Sequence, residues 1–246
     1  MRKKVLLKIF AGITVFLLIL AVLFIANSFL GNPVSANIAK SRAHSHINDK
    51  YSHLSLEIND VIYNLKDGSY LISVSSSNSI DTHFFLSYRA GEIFRDDYVS
   101  SVLSGMNTMD RFRDEYKKSL TPLLQAKTND VTNISVIPEK FTKYDIDLDS
   151  AFDKKLVKNV NIIISSTGGT DVKHLSRILK ITYDVMKENG YIATKFGITS
   201  EHETVLTELR NIKPKHIENE NFEEILQEAI TNTEYDGITA FSKGQK

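Results

Sequence analysis

The chain has 246 residues, an apolar content of 42%, and 30 basic residues against 30 acidic ones. It contains no cysteine, which excludes disulfide scaffolds, thiolate zinc sites, iron–sulfur clusters and cysteine nucleophiles. The length and the apolar content suffice for one or two domains with cores of their own, so extensive intrinsic disorder is not expected.

The charges are unevenly distributed along the chain. All four charged residues among the first 27 are basic, namely Arg2, Lys3, Lys4 and Lys8. The rest of the chain therefore carries 26 basic and 30 acidic residues, a net charge of −4. Because phosphate binding needs clustered Lys and Arg, this mildly acidic remainder argues against nucleic acid as a partner.

Residues 9–26 form an uncharged, mostly apolar run of 18 residues. As a helix this run spans about 27 Å, close to the hydrocarbon thickness of about 30 Å. The basic residues precede the run, which by the positive-inside rule places the N-terminus in the cytoplasm and the C-terminus outside. We therefore predict a single-pass signal-anchor over residues 1–30, in contact with a lipid bilayer through residues 5–30. A cleaved signal peptide, with Val34-Ser35-Ala36 as its cleavage site, is the alternative.

The next segment shows a helical period followed by strand alternation. Pro33 is suited to the first turn of a helix, and apolar residues then recur at near-helical spacing to about residue 51. Apolar and polar residues alternate over 54–58, 70–74 and 82–88, and Asp67-Gly68 separates the first two sets as a turn. This order predicts a first outer α+β domain over residues 31–98, with one helix followed by antiparallel strands.

A long helix and a second domain are predicted beyond residue 98. Apolar residues step by three or four positions through 99–126, which indicates a helix connecting the two domains over 99–128. Residues 129–246 alternate between short apolar runs and helical periods and predict a second outer α+β domain. The predicted fold is thus α+β: a transmembrane helix, then two small domains, each a helix with an antiparallel sheet, joined by a long helix.

Three histidines on or just after the helix predicted to end near residue 51 are candidate metal ligands. His44 and His46 are two residues apart, so on a helix their side chains point about 200° apart. His53 lies about 10 Å further along the helix axis. The pattern therefore favours histidines that face solvent on a helix.

The segment Asp145-Ile146-Asp147-Leu148-Asp149 places three carboxylates at the spacing of a calcium-loop start. Ser150 stands where that loop needs glycine and Leu156 where it needs glutamate, so an EF-hand is excluded. The alternation favours a half-exposed edge segment. A looser calcium site, completed by oxygens from elsewhere, stays open.

Two other groups of titratable residues are candidates for acid–base chemistry. In Asp81-Thr82-His83, a carboxylate and an imidazole would share one face of a strand, about 7 Å apart. Glu201-His202-Glu203 lies in a predicted turn and offers the same residue types. No nucleophile accompanies either group.

The segment Ser166-Thr167-Gly168-Gly169-Thr170 follows a predicted strand and precedes a predicted helix. It lacks the Lys-Ser/Thr pair of a phosphate-binding loop and the third glycine of a dinucleotide fingerprint. A plain strand-to-helix turn is therefore favoured. No motif in the chain indicates a cofactor.

Several short strings of this sequence resemble those of the YfjL-like proteins of Gram-positive bacteria. These strings are Gly31-Asn32-Pro33, Asp67-Gly68-Ser69-Tyr70, Ser79-Ile80-Asp81-Thr82-His83-Phe84, Ser104-Gly105-Met106-Asn107-Thr108 and Glu234-Tyr235-Asp236-Gly237. The resemblance implies a single-span bacterial membrane protein with two α+β outer domains. It implies no catalytic residues.

Two functions are consistent with these observations. The first is a non-catalytic, anchored binding or scaffold protein of the envelope, whose partner is another envelope protein, a wall polymer or a small ligand. The second is an envelope hydrolase or metal-dependent enzyme that uses Asp81 and His83, or Asp145, Asp147 and Asp149. An enzyme needs such groups to converge in a cleft, whereas a binding protein shows an exposed apolar patch.

Overall fold

A computed structural model describes residues 2–139 and 146–244 of the chain. The chain divides into two compact units, Met1–Asn107 (unit 1) and Thr108–Lys246 (unit 2). Each unit has its own sheet and its own cluster of buried side chains. The α+β class predicted from the sequence is confirmed.

Unit 1 begins with two helices, α1 (Arg2–Leu30) and α2 (Pro33–Tyr51). They are separate because Gly31 has a φ of +75°, outside the helical region. Asn32 caps α2, since its side-chain oxygen accepts a hydrogen bond of 2.8 Å from the backbone N–H of Val34. The apolar side chains described between residues 9 and 22 of α1 are all exposed.

The predicted membrane anchor is wrong. Among residues 2–139 and 146–244, no helix has both the length and the apolar content needed to cross a bilayer. The single-pass localisation and the bilayer contact of residues 5–30 depended on that anchor and have no support in the structure.

The sheet of unit 1 is antiparallel, with strand order β1-β2-β3-β4. Its strands are β1 (Leu56–Asn64), β2 (Ser69–Ser76), β3 (His83–Arg89) and β4 (Glu92–Asp96). Alternate residues of the two central strands, such as Ile72, Val74, Phe84 and Leu86, are fully or almost fully buried. They form one core with Ala39, Ala43 and Ile47 of α2, whose alanines let the helix approach the sheet closely.

The single helix that the sequence predicts over 99–128 is interrupted in the structure. A π-helical turn covers Val99–Leu103, and α3 then runs over Met106–Gln125. Gly105, between them, has a φ of +74° and interrupts the helical backbone. The buried face of α3 contributes Phe112, Tyr116, Leu120 and Leu124 to the core of unit 2.

Unit 2 contains a six-stranded sheet of order β5-β6-β7-β8-β10-β9. Its elements are β5 (Val131–Pro138), β6 (Val160–Ser166), α4 (Val172–Glu188), β7 (Lys195–His202), β8 (Val205–Ile212), α5 (Pro214–Ile217), α6 (Phe222–Asn232), β9 (Glu234–Tyr235) and β10 (Ile238–Lys243). Buried residues at alternate positions of β6, such as Val160, Ile162 and Ile164, form the core with α3, α4 and α6.

The prediction of an all-antiparallel sheet in the second domain is wrong for one strand pair. β6 and β7 are parallel, whereas the other neighbouring strands of this sheet are antiparallel. The reason is α4, which carries the chain from the end of β6 back to the start of β7 as a helical crossover connection.

Candidate functional site

Asp81 and Thr82 lie just before β3 rather than within it, and both are 1% exposed. The hydroxyl of Ser79 donates a hydrogen bond of 2.6 Å to the Thr82 hydroxyl and accepts one of 3.0 Å from the Thr82 N–H. The turn before β3 is therefore closed by its own side chains, in the manner of a serine-based turn.

Asn107 fixes the same turn from a distance along the chain. Its side-chain amide nitrogen donates to the backbone carbonyl of Asp81 at 2.8 Å and to that of His83 at 2.6 Å. Asn107 itself is 8% exposed. Two of the strings that carry the family resemblance, Ser79–Phe84 and Ser104–Thr108, are thus joined by hydrogen bonds in the folded chain.

His83 is the first residue of β3, and its side chain is exposed. Because β3 begins only at His83, the alternation that would place Asp81 and His83 on one strand face does not apply. The Asp81 side chain is buried and the His83 side chain is not, so the two groups lie in different environments. The arrangement holds a backbone turn in place and does not present the pair to a substrate.

A cluster that the sequence did not reveal joins α2 to β4. His46 Nε2 and the Tyr51 hydroxyl both lie within hydrogen-bond distance of Asp96 Oδ2, at 2.7 and 2.8 Å. The Tyr98 N–H donates a hydrogen bond of 3.0 Å to the other carboxylate oxygen, Oδ1. Lys50 Nζ lies 3.9 Å from Asp96 Oδ2. The carboxylate of Asp96 therefore anchors the C-terminal part of α2 to the edge of the sheet.

The electrostatics of this cluster are typical of a structural anchor. Burial alone would raise the pKa of Asp96, but hydrogen bonds from His46, the Tyr98 N–H and Tyr51 outweigh burial and hold that pKa below its usual value. The pKa of Tyr51 is raised above its usual value. Burial is the largest cause, and the hydrogen bond to Asp96 is the second. Tyr51 also packs against Phe84 and Tyr98, with ring centroids 5.7 and 4.5 Å apart.

The other two histidines of this region do not join this cluster. His44 and His53 are exposed, as the helical spacing predicts for solvent-facing histidines, whereas His46 is half-buried. The sequence did indicate that His46 and Lys50 share one helix face, because they are four residues apart. It did not indicate that Asp96 lies opposite that face. Within the described part of the chain, no group of three or more carboxylates and imidazoles could hold a metal ion.

The acidic segment forms a turn in the residues that are described. Asp145 lies outside the described residues. Asp147 and Asp149 are exposed, and Asp149 has a φ of +60°. The N–H of Ser150 donates to the Asp147 carbonyl at 3.2 Å, which closes the turn. Ile146 packs against the core of unit 2, so the predicted alternation gives way to a single partly buried side chain followed by a turn.

The glycine-containing segment between β6 and α4 makes a tight strand-to-helix connection. Gly168 has a φ of +95°, and a Cβ at Gly169 would lie 3.0 Å from His174 Cγ. The helix is capped by Asp171, whose side chain accepts a hydrogen bond of 3.0 Å from the His174 N–H. The buried Ser200 hydroxyl donates to the Gly169 carbonyl at 2.6 Å and fixes the connection to β7.

Glu201-His202-Glu203 ends β7 and begins the turn to β8. Glu203 has a φ of +54°, and all three side chains are exposed. The position is that of a hairpin turn, where such polar residues are common.

The side of the unit 1 sheet that faces away from α2 has no part in the contacts described so far. We call it the open face. Ile62, Phe85 and Phe94 on this face are 53%, 42% and 45% exposed. Phe85 pairs across the strands with Ser73, and the guanidinium of Arg89 lies 4.8 Å from the ring centroid of Phe94. The open face therefore combines exposed aromatic rings, small hydroxyl side chains and an arginine.

The fold and the site define a two-unit α+β protein whose candidate polar residues hold backbone turns and helix contacts. Residues 6–97 match the family model described as "YfjL-like, N-terminal domain". This match confirms the predicted resemblance for that part of the chain. The Gram-positive source implied by the resemblance stays an expectation.

A solved structure, a DUF5037 family protein from Ruminococcus gnavus ATCC 29149, resembles the chain at 12% sequence identity. The alignment covers 82% of this chain and 88% of that chain, with a TM-score of 0.24. A similarity at this level supports no conclusion on fold or function. No curated protein matches the chain.

Proposed function

We propose that the protein is a non-catalytic binding protein that docks on a partner protein through the open face of unit 1. The observation that supports the proposal is the exposure of Phe85 and Phe94 on one side of the unit 1 sheet. Aromatic residues and arginine are enriched in protein–protein interfaces, and truncation of such residues often has the largest effect on affinity.

The shape of the open face favours a protein over a small ligand. Small ligands bind in concave pockets that cover most of their surface, whereas the open face is one side of a four-stranded sheet. The pair of Asp60 with Ser73, and the exposed Arg95, add polar groups around the aromatic residues. Such a mixed surface is typical of interfaces between separately folded proteins.

The enzymatic alternative is not favoured by the geometry of Asp81 and His83. An acid–base pair needs both groups within reach of one reacting atom. Here the Asp81 side chain is buried beneath the turn that Asn107 fixes, while His83 is exposed at the start of β3.

Site-specific photocrosslinking in intact cells tests the proposed function. A photoreactive phenylalanine analogue replaces Phe85 in one version of the full chain and Phe241 in a matched version. Phe241 is the control because it is an exposed strand phenylalanine of unit 2, with 55% of its surface accessible. We expect a discrete adduct of higher mass from position 85 only. Equal adducts from both positions, or none from position 85, would contradict the proposal.

Once the adduct identifies a partner, its purified form provides a quantitative test. Phe85→Ser should weaken binding about tenfold or more, because an aromatic side chain at the centre of an interface contributes more than about 1.4 kcal/mol. Phe241→Ser should leave the affinity unchanged. Circular dichroism of both variants checks that the fold is retained.

A further inference from the structure

The short helix α5 of unit 2 contains a buried histidine that has no part in the features described so far. His216 is 2% exposed. Its Nδ1 accepts a hydrogen bond of 3.1 Å from the backbone N–H of Lys213, the residue that precedes the helix. A ring nitrogen that accepts a hydrogen bond carries no proton, so the neutral ring has its proton on Nε2.

The second ring nitrogen faces the turn between β9 and β10. His216 Nε2 lies 3.2 Å from Asp236 Oδ2, without the alignment of a good hydrogen bond. Asp236 has a φ of +47°, and Lys215 Nζ lies 3.5 Å from the same carboxylate oxygen. One imidazole therefore connects α5 with the turn at Asp236-Gly237.

Protonation of His216 conflicts with this geometry. A proton on Nδ1 would oppose the Lys213 N–H, so two donors would face each other and the hydrogen bond that caps α5 would be lost. The charged groups acting on the ring are Asp236 from the turn and Lys213 and Lys215 beside it. On the other elements packed against α5, Tyr183 and Lys187 of α4 hold Glu218, and Glu224 of α6 shares a groove with Asp236.

The pKa of His216 follows from the same surroundings. Burial lowers the pKa of His216, the Asp236 carboxylate opposes this effect, and Lys215 and Lys213 add to it. The unfolded chain therefore takes up the proton first as the pH falls below about 6.5. The contribution of neutral His216 to local stability is therefore fully present above that pH. It is lost progressively as the pH falls towards the pKa of His216 in the folded protein.

We propose that His216 is an acid-sensitive latch in unit 2, whose protonation releases the start of α5. The segment that follows α5 contributes Asn219 and Asn221 to a groove of about 730 Å³, which Tyr235 and Asp236 also line. Loss of the hydrogen bond from the Lys213 N–H therefore loosens the element that leads into one wall of this groove, while the imidazolium stays attracted to the Asp236 carboxylate. The latch makes the groove a pH-dependent surface, independently of the open face of unit 1.

His216→Asn separates titration from hydrogen bonding, because asparagine Oδ1 occupies nearly the position of Nδ1 and cannot take up a proton in this pH range. Amide hydrogen exchange is measured by mass spectrometry for residues 213–221, at about pH 7 and about pH 5, with correction for intrinsic exchange. In the native sequence, protection should fall by up to about tenfold per pH unit below pH 6.5. In His216→Asn it should be constant, and in His202→Asn, an exposed control, the native response should persist. An unchanged profile in the native chain, or the same fall in His216→Asn, would overturn the latch.

A measurement on the unaltered chain covers the case in which His216→Asn does not fold. Nitrogen-15 NMR of the imidazole reports which ring nitrogen carries the proton at neutral pH. The latch requires the Nε2-protonated form. Observation of the Nδ1-protonated form, or of a ring that is already charged at neutral pH, would contradict it.

Discussion

At the scale of single residues, the unit 1 structure depends on carboxylates and amides that act on the backbone or on a helix. Asp96 holds His46 and Tyr51 of α2, and Asn107 holds the carbonyls of Asp81 and His83. A buried polar group that loses its partner costs more than the hydrogen bond itself contributes, because the remaining group stays desolvated. These residues are therefore expected to be more sensitive to substitution than exposed residues of the same type.

Asp96→Asn should lower the free energy of unfolding by about 1–3 kcal/mol at neutral pH, since hydrogen bonds to a charged acceptor are lost or weakened. The pKa of Asp96 is held below its usual value, so its contribution is complete above about pH 4 and is lost as the pH falls through the native pKa. The advantage of the native chain should therefore shrink on acidification. Urea denaturation at several pH values measures this difference in the free energy of unfolding between the native chain and Asp96→Asn.

The control for this prediction is Asp49→Asn, which removes an exposed carboxylate of α2. It should change stability by less than about 0.5 kcal/mol. Equal effects of the two substitutions at neutral pH would show that Asp96 does not anchor α2.

At the scale of elements, local sequence signals placed most helices and strands, but their ends depended on backbone details. The helix predicted from about residue 34 to 51 is observed over Pro33–Tyr51, because Asn32 and Pro33 are strong start signals. The residues from Tyr191 to Ile198 indicate a strand by their apolar content, but the strand is observed over Lys195–His202 instead. Tyr191, which began the prediction, is used as a core side chain packed against Tyr116, with ring centroids 4.8 Å apart. Apolar content alone does not distinguish these roles.

Gly31→Ala should destabilise unit 1 by about 2–3 kcal/mol. The φ of +75° costs any residue with a Cβ about 1–2 kcal/mol, and the added Cβ would lie 2.7 Å from Tyr63 Cγ, so the ring must move. Gly91→Ala is the matched control, since Gly91 has a φ of +101° but nothing within 4 Å of an added Cβ. Urea denaturation should therefore show a larger loss for Gly31→Ala. A loss as small as that of Gly91→Ala would indicate that the Tyr63 contact has no energetic weight.

At the scale of the whole molecule, the hydropathy of the first thirty residues predicted an anchor that is wrong. The α+β class and two successive groups of elements followed from the change of period along the chain. The described residues contain two separate clusters of buried side chains, one for each sheet. Each cluster therefore stabilises its own unit.

Leu86→Ala in unit 1 and Leu209→Ala in unit 2 should each cost about 2–5 kcal/mol, because both side chains are fully buried. Since the cores are separate, Leu86→Ala should speed amide exchange in β1 to β4 and leave β6 to β8 unchanged. Leu209→Ala should have the opposite effect. Hydrogen exchange with mass spectrometry measures both, and faster exchange in both units from either substitution would contradict separate cores.

The sequence by itself determined the alternation of helices and strands, the start of α2, and the absence of thiol chemistry, because these depend on composition or on residues a few positions apart. Tertiary structure alone decided that His46 meets Asp96, that Asn107 fixes the turn at Asp81, and that β6 runs parallel to β7. These contacts join residues 50, 26 and 34 positions apart, respectively. Local propensities carry no information on such pairs, since packing of the sheets and helices is what brings them within hydrogen-bond distance.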